Sequence, residues 1–97
     1  MPIALDDSAA TATLTSVAAS ATSVALLAAN NARKGVLVMN DSTAIMYLAY
    51  AATASTTAYT VQIAGGGFWE MPLPLYRGAL SALWAAATGS ARLTELS

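Results

Sequence analysis

Side chains able to move protons, attack carbonyls or hold metals are few in this 97-residue chain. Histidine is absent, which removes the commonest general base near neutral pH and the commonest metal ligand together. Cysteine is absent too, so there is no thiolate nucleophile, no Cys-type metal site and no disulfide framework, and no redox compartment is favoured. The carboxylates are Asp6 and Asp7 near the N-terminus, Asp41 in a turn-like stretch, Glu70 beside Trp69, and Glu95 near the C-terminus. A catalytic pair needs two of them about 5–10 Å apart in a cleft, and nothing in their spacing places any two there. Against what an active site requires, the expectation is a protein that is not an enzyme, with no catalytic residues and no cofactor.

The remaining chemistry is recognition. Asp41, within Asn40-Asp41-Ser42, offers oxygen to a hard cation such as Ca²⁺. A turn aspartate that bonds its own backbone explains the same residues more simply, so no metal site is expected. Gly65-Gly66-Gly67 lacks the Lys-Ser/Thr and the helix start of a phosphate loop and reads as a turn. Trp69, Trp84, Tyr47, Tyr50, Tyr59 and Tyr76 admit two readings. Exposed rings stack on sugar faces, which would make a glycan-binding module. Rings in a small β protein more often fill the core or a subunit interface. Arg33-Lys34 is expected to be solvated or paired across an interface, where arginine's planar fork fixes register. Arg33, Lys34, Tyr47, Tyr50, Trp69, Tyr76, Arg77 and Trp84 are therefore the candidate contact residues. Arg92 and Glu95 lie on opposite parities of the last strand and should not pair with each other.

Composition points the same way. The chain is 57% hydrophobic and 9% charged, against about 25% charged in an ordinary soluble domain. Much of the apolar count is alanine, which buries little area per residue. Surfaces of alanine, serine and threonine cost little to desolvate and immobilise few long side chains, which favours close packing of subunits. Net charge is −1 and the cations Arg33, Lys34, Arg77 and Arg92 are scattered except for the adjacent pair Arg33-Lys34, so no basic face is expected for nucleic acid. Residues 1–14 lack the basic n-region of a signal peptide, and no run of about 18 apolar residues offers a membrane helix.

The elements that must position these residues are strands. Alanine favours helix, but residues 11–19 alternate Thr11, Thr13, Thr15 against Ala12, Leu14, Ser16, a period of two with residues that prefer strands. Residues 24–29 read as a second short strand or an apolar bend before the Asn30-Asn31 turn. Residues 35–39 and 44–50 are apolar runs about the Asn40–Thr43 turn residues and read as a hairpin. Residues 58–63 and 68–71 flank the glycine turn and read as a second hairpin. Pro72 and Pro74 exclude a central strand over residues 72–78. Residues 79–86 are read as strand over helix, and residues 91–96 alternate again. About seven or eight strands separated by turns every 8–12 residues describe an all-β antiparallel sandwich or small barrel. Residues 1–10 read as an extended N-terminal arm, and residues 11–97 as the single domain.

The chain resembles small β-sandwich virion structural proteins of tailed bacteriophages, the head-decoration and accessory proteins. The resemblance rests on NARKG at 31–35 leading into VLVMNDS at 36–42, MYL at 46–48 and YTVQI at 59–63. It continues through the glycine turn into WEMP at 69–72, YRG at 76–78 and GSARLTE at 89–95. It implies an antiparallel β-sandwich, a homo-oligomer with a trimer as one form, and no catalysis. It further implies a cement protein held on the major capsid protein, or else a component of the neck, tail or head-fibre base. Its place would be the virion, assembled in the host cytoplasm.

Overall fold

The computed structural model describes residues 8–97. Of the expected N-terminal arm, residues 1–7 lie outside the described residues. Among the described residues there are eight strands and no helix: β1 (Ala12–Ala18), β2 (Val24–Leu27), β3 (Gly35–Asp41), β4 (Met46–Ala49), β5 (Val61–Ile63), β6 (Phe68–Glu70), β7 (Leu80–Trp84) and β8 (Ser90–Leu96). Among the described residues no helix is long and apolar enough to cross a membrane.

Two four-stranded antiparallel sheets form, one ordered β1-β8-β3-β6 and the other β2-β7-β4-β5. Only β4 and β5 are consecutive strands that pair; every other connection passes to the opposite sheet. Strands 1 and 2, 8 and 7, 3 and 4, 6 and 5 hold corresponding places in the two orders. This is the double-sheet jelly roll, a β-sandwich with its two Greek keys wound together.

The expected strands are therefore present, but the two expected hairpins are not. β3 pairs with β8 and β6, whereas β4 pairs with β7 and β5. The Asn40–Thr43 residues do reverse the chain, yet the returning strand crosses the core instead of lying alongside. The glycine turn does the same between β5 and β6. Crossing lets the inward rows of both strands face each other, so Val36 and Val38 of β3 share one core with Met46 and Leu48 of β4. That core is completed by Leu26, Ile63, Met71, Leu80, Ala82, Trp84, Ala91 and Leu93.

β7 is buried along its whole length, which explains why an alanine-containing segment is strand here. Its inward residues Leu80, Ala82 and Trp84 enter the core. Its outward Leu83 is covered by Ala49 and Ala54, the latter from the long β4–β5 loop. Tertiary neighbours on both sides override alanine's helix propensity.

Two glycines at turns hold positive φ, Gly66 at 77° and Gly89 at 82°. A Cβ on Gly66 would meet nothing, whereas one on Gly89 would strike the Asp41 carbonyl oxygen and lie 2.8 Å from Ser42 Cα. Gly66→Ala is expected to lose only the conformational cost, about 1 kcal/mol, and Gly89→Ala about 3 kcal/mol or more. Urea denaturation of both checks this, and equal losses would show that the close approach at Gly89 is readily relieved.

Candidate interaction surfaces

The candidate contact residues fall into two groups, those built into the fold and those left on its surface. Arg33 belongs to the first. It lies in the β2–β3 loop and its exposure is 0%. Its Nε donates to Glu95 Oε2 at 2.7 Å. Its Nη1 donates to the carbonyls of Tyr76 and Gly78, and its Nη2 to that of Ala28, all at 2.8–2.9 Å. The expected surface arginine is thus an internal clamp, because three carbonyls of crossing loops and one carboxylate take four of its five N–H groups. It joins the β2–β3 loop, the β6–β7 loop and β8 at one end of the sandwich. Lys34, next to it, is exposed and its Nζ donates to the Ser8 carbonyl at 2.8 Å. Arg77 is exposed as well, with Nε on the Arg33 carbonyl at 3.1 Å.

Trp84 is the second correction: at 1% exposure its ring is enclosed and can meet neither a subunit nor a sugar. Its Nε1 donates to Asn40 Oδ1 at 3.0 Å. Asn40, expected in a turn, is a fully buried residue of β3. Its Nδ2 donates to the carbonyls of Ala44 and Ile63 at 2.8 Å and Ala64 at 3.1 Å, so one N–H is shared between two acceptors. Ser42 Oγ completes the group by donating to Asn40 Oδ1. The β3–β4 connection, the β5–β6 connection and the end of β7 meet on this one amide.

Tyr47, Tyr50, Tyr76 and Trp69 are half-buried. Tyr50 stacks on Tyr76 with centroids 4.5 Å apart and planes within 3°, and meets Trp69 edge-on at 6.2 Å. All three pack on the main core, and desolvation pushes the Tyr50 hydroxyl above the ordinary tyrosine range. Tyr47 packs over the outer face of the β2-β7-β4-β5 sheet and meets Tyr59 edge-on at 5.1 Å. Tyr59 is exposed and, with Tyr50, Thr53 and Thr60, lines an open groove of about 310 Å³.

The surface that sequence reading passed over is the outer face of the β1-β8-β3-β6 sheet. Strand alternation sends Leu14, Arg92, Met39 and Phe68 to this side. Registers place Met39 opposite both Arg92 and Phe68, and Leu37 opposite both Thr94 and Glu70. Leu14 is opposite Thr94 in the neighbouring pair. Leu14 is 74% exposed, Phe68 62% and Met39 36%. Arg92 pairs with Asp41 at 3.1 Å across this face, while Glu95 is turned inward to Arg33, so the parity expectation for Arg92 and Glu95 agrees with the geometry. The signal was available: Leu14 stands alone among the small residues of its parity in β1.

Among the described residues no group of three or more carboxylates, histidines or cysteines gathers into a metal-binding cluster. What the arrangement offers is apolar contact framed by few charges. No protein-family model, curated protein or solved structure matches the chain.

Proposed function

We propose that this chain is a structural protein of a tailed-phage virion, a decoration protein that cements the head through capsid and homo-oligomeric contacts. The observation that carries the reading is that Leu14 and the neighbouring pair Met39 and Phe68 are exposed on one sheet face, on either side of Arg92 and Thr94, in a chain with 9% charged residues. Exposed apolar surface rimmed by polar residues is the mark of a protein–protein contact. The jelly roll adds support by analogy, since viral capsid domains recur on it alongside lectins and cupins. Each copy would bury the Leu14–Phe68 face on the capsid, and many modest contacts held on one lattice add through effective concentration.

Virions purified from the phage that encodes the chain provide the test. Copy number near that of the major capsid protein, with particles lacking the chain releasing genome on mild heating, is the expected result. A ring's worth of copies would move the protein to the neck, tail or fibre base. Absence from the particle would end the reading.

A further inference from the structure

The two sheets have four border strands, and three are blunted in the ways natural edges usually are. β5 and β6 are three residues long, and β6 carries Glu70. β2 has four residues and a register irregularity against β7. β1 differs on every count. It runs seven residues, ATLTSVA, with no charge, proline or glycine, and pairs without irregularity to β8. All of it but Val17 is exposed.

The direction of its free groups follows from the ladder. Thr11 and Ser97 exchange both backbone hydrogen bonds at 2.8 and 2.9 Å, and Ala19 N–H donates to the Gly89 carbonyl. Antiparallel pairs alternate between bonded and non-bonded, so Thr13, Thr15 and Val17 also spend their backbone groups on β8. The N–H and C=O of Ala12, Leu14, Ser16 and Ala18 point instead to the open edge, where no described residue meets them.

We propose that this edge recognises itself: β1 of a second copy adds to it antiparallel about a two-fold axis at Thr15, joining two four-stranded sheets into one continuous sheet. Self-complementarity selects a second copy as the occupant. With Thr15 on the axis, Leu14 faces Ser16 of the second copy and Ala12 faces Ala18, both as hydrogen-bonded pairs. Every free backbone group of the strand then finds a partner, and a shift of register leaves some unpaired. No like charges meet, because the strand has none. Thr15 faces its own counterpart, and the two Leu14 side chains become diagonal neighbours at about 7–8 Å, within contact range, covering the most exposed large side chain of β1. Such an isologous contact closes at two copies. The inference deepens the homo-oligomer of the proposed function, but its test uses the purified chain without particles, so either can fail while the other stands.

The chain has no native cysteine, which makes cross-linking specific. Thr15→Cys places two sulfurs at a non-hydrogen-bonded pair with Cα atoms about 4.5 Å apart, inside the disulfide range. Thr13→Cys leaves its counterpart four residues away, about 13 Å along the strand. Mild oxidation is expected to give a covalent dimer with Thr15→Cys and a monomer with Thr13→Cys. Light scattering on the unmodified chain over a dilution series should show a dimer. The double variant Leu14→Lys/Ser16→Lys, which sets lysine against lysine twice on an already exposed face, should be folded by circular dichroism and monomeric. A monomeric or trimeric unmodified chain, a folded double variant that stays dimeric, or equal cross-linking at positions 13 and 15 would each overturn the proposal. If the double variant does not fold, the cross-linking pair decides alone.

Discussion

Arg33→Ala is expected to remove about 3–5 kcal/mol of folding stability, the largest loss of any single polar substitution in this chain. The side chain is fully enclosed, so its removal strands the Glu95 carboxylate and the carbonyls of Ala28, Tyr76 and Gly78 together. A buried group without a partner keeps its full desolvation penalty, about 1–3 kcal/mol for a neutral one and more for a charge. A domain of this size has about 5–15 kcal/mol in total, so the variant sits near the threshold of folding. The melting temperature should fall by about 15–30 °C. Arg33→Met with Glu95→Met separates the contributions. Apolar replacement of both ions is often close to neutral, so the pair should be recovered while the three carbonyls stay orphaned. The double variant is therefore expected between Arg33→Ala and the unmodified protein. Thermal melts followed by circular dichroism measure all three; a loss below about 1 kcal/mol for Arg33→Ala would mean that water or a rearranged loop replaces the guanidinium.

Asn40→Ala comes second, at about 3 kcal/mol. It orphans Trp84 Nε1 and the Ile63 carbonyl inside the core and releases the Ala44 and Ala64 carbonyls. Asn40→Asp has nearly the same shape but turns the donor end into an acceptor facing three carbonyl oxygens. It should therefore be at least as damaging as alanine, which steric arguments alone would not give. Trp84→Phe removes the indole donor, and a double-mutant cycle with Asn40→Ala should show coupling of about 0.5–3 kcal/mol because both act through one hydrogen bond. Strict additivity in urea denaturation would show that Trp84 contributes through volume alone.

The strands were legible because alternation, apolar runs and turn residues are local properties, and together they placed all eight, including residues 80–84 against alanine's preference. Pairing was not legible. Turn residues after Met39 and after Ile63 announce that the chain reverses, but a hairpin and a crossing arch use the same kinds of residues. What separates them is a buried amide, Asn40, whose acceptors Ile63 and Ala64 lie 23 and 24 positions away. Arg33 and Asn40 belong to residue types that ordinarily sit at the surface, so hydropathy assigns them outward. Only non-local partners, Glu95 at a separation of 62 and Tyr76 at 43, bring Arg33 inside. Residue type alone marks the aromatic candidates, and Tyr50, Tyr76 and Trp69 spend much of their surface on one another. The outward Leu14 and the uncharged run of β1 were visible in the parity of residues 11–19, but a large aromatic draws more notice than a missing charge.

The position of β8 decides when the molecule can come into being. It lies between β1 and β3, yet it is the last of the eight strands to leave the ribosome. While residues 90–96 are still being made, β1 has no strand to pair with in its sheet and β3 has only the three residues of β6. Glu95, the carboxylate that Arg33 awaits, arrives with the same segment. Half of the sandwich must therefore wait for residues 90–96, and contacts of such long sequence separation close slowly. For that interval the nascent chain exposes the uncharged, strand-forming residues of β1, the kind of unpaired segment on which aggregation begins.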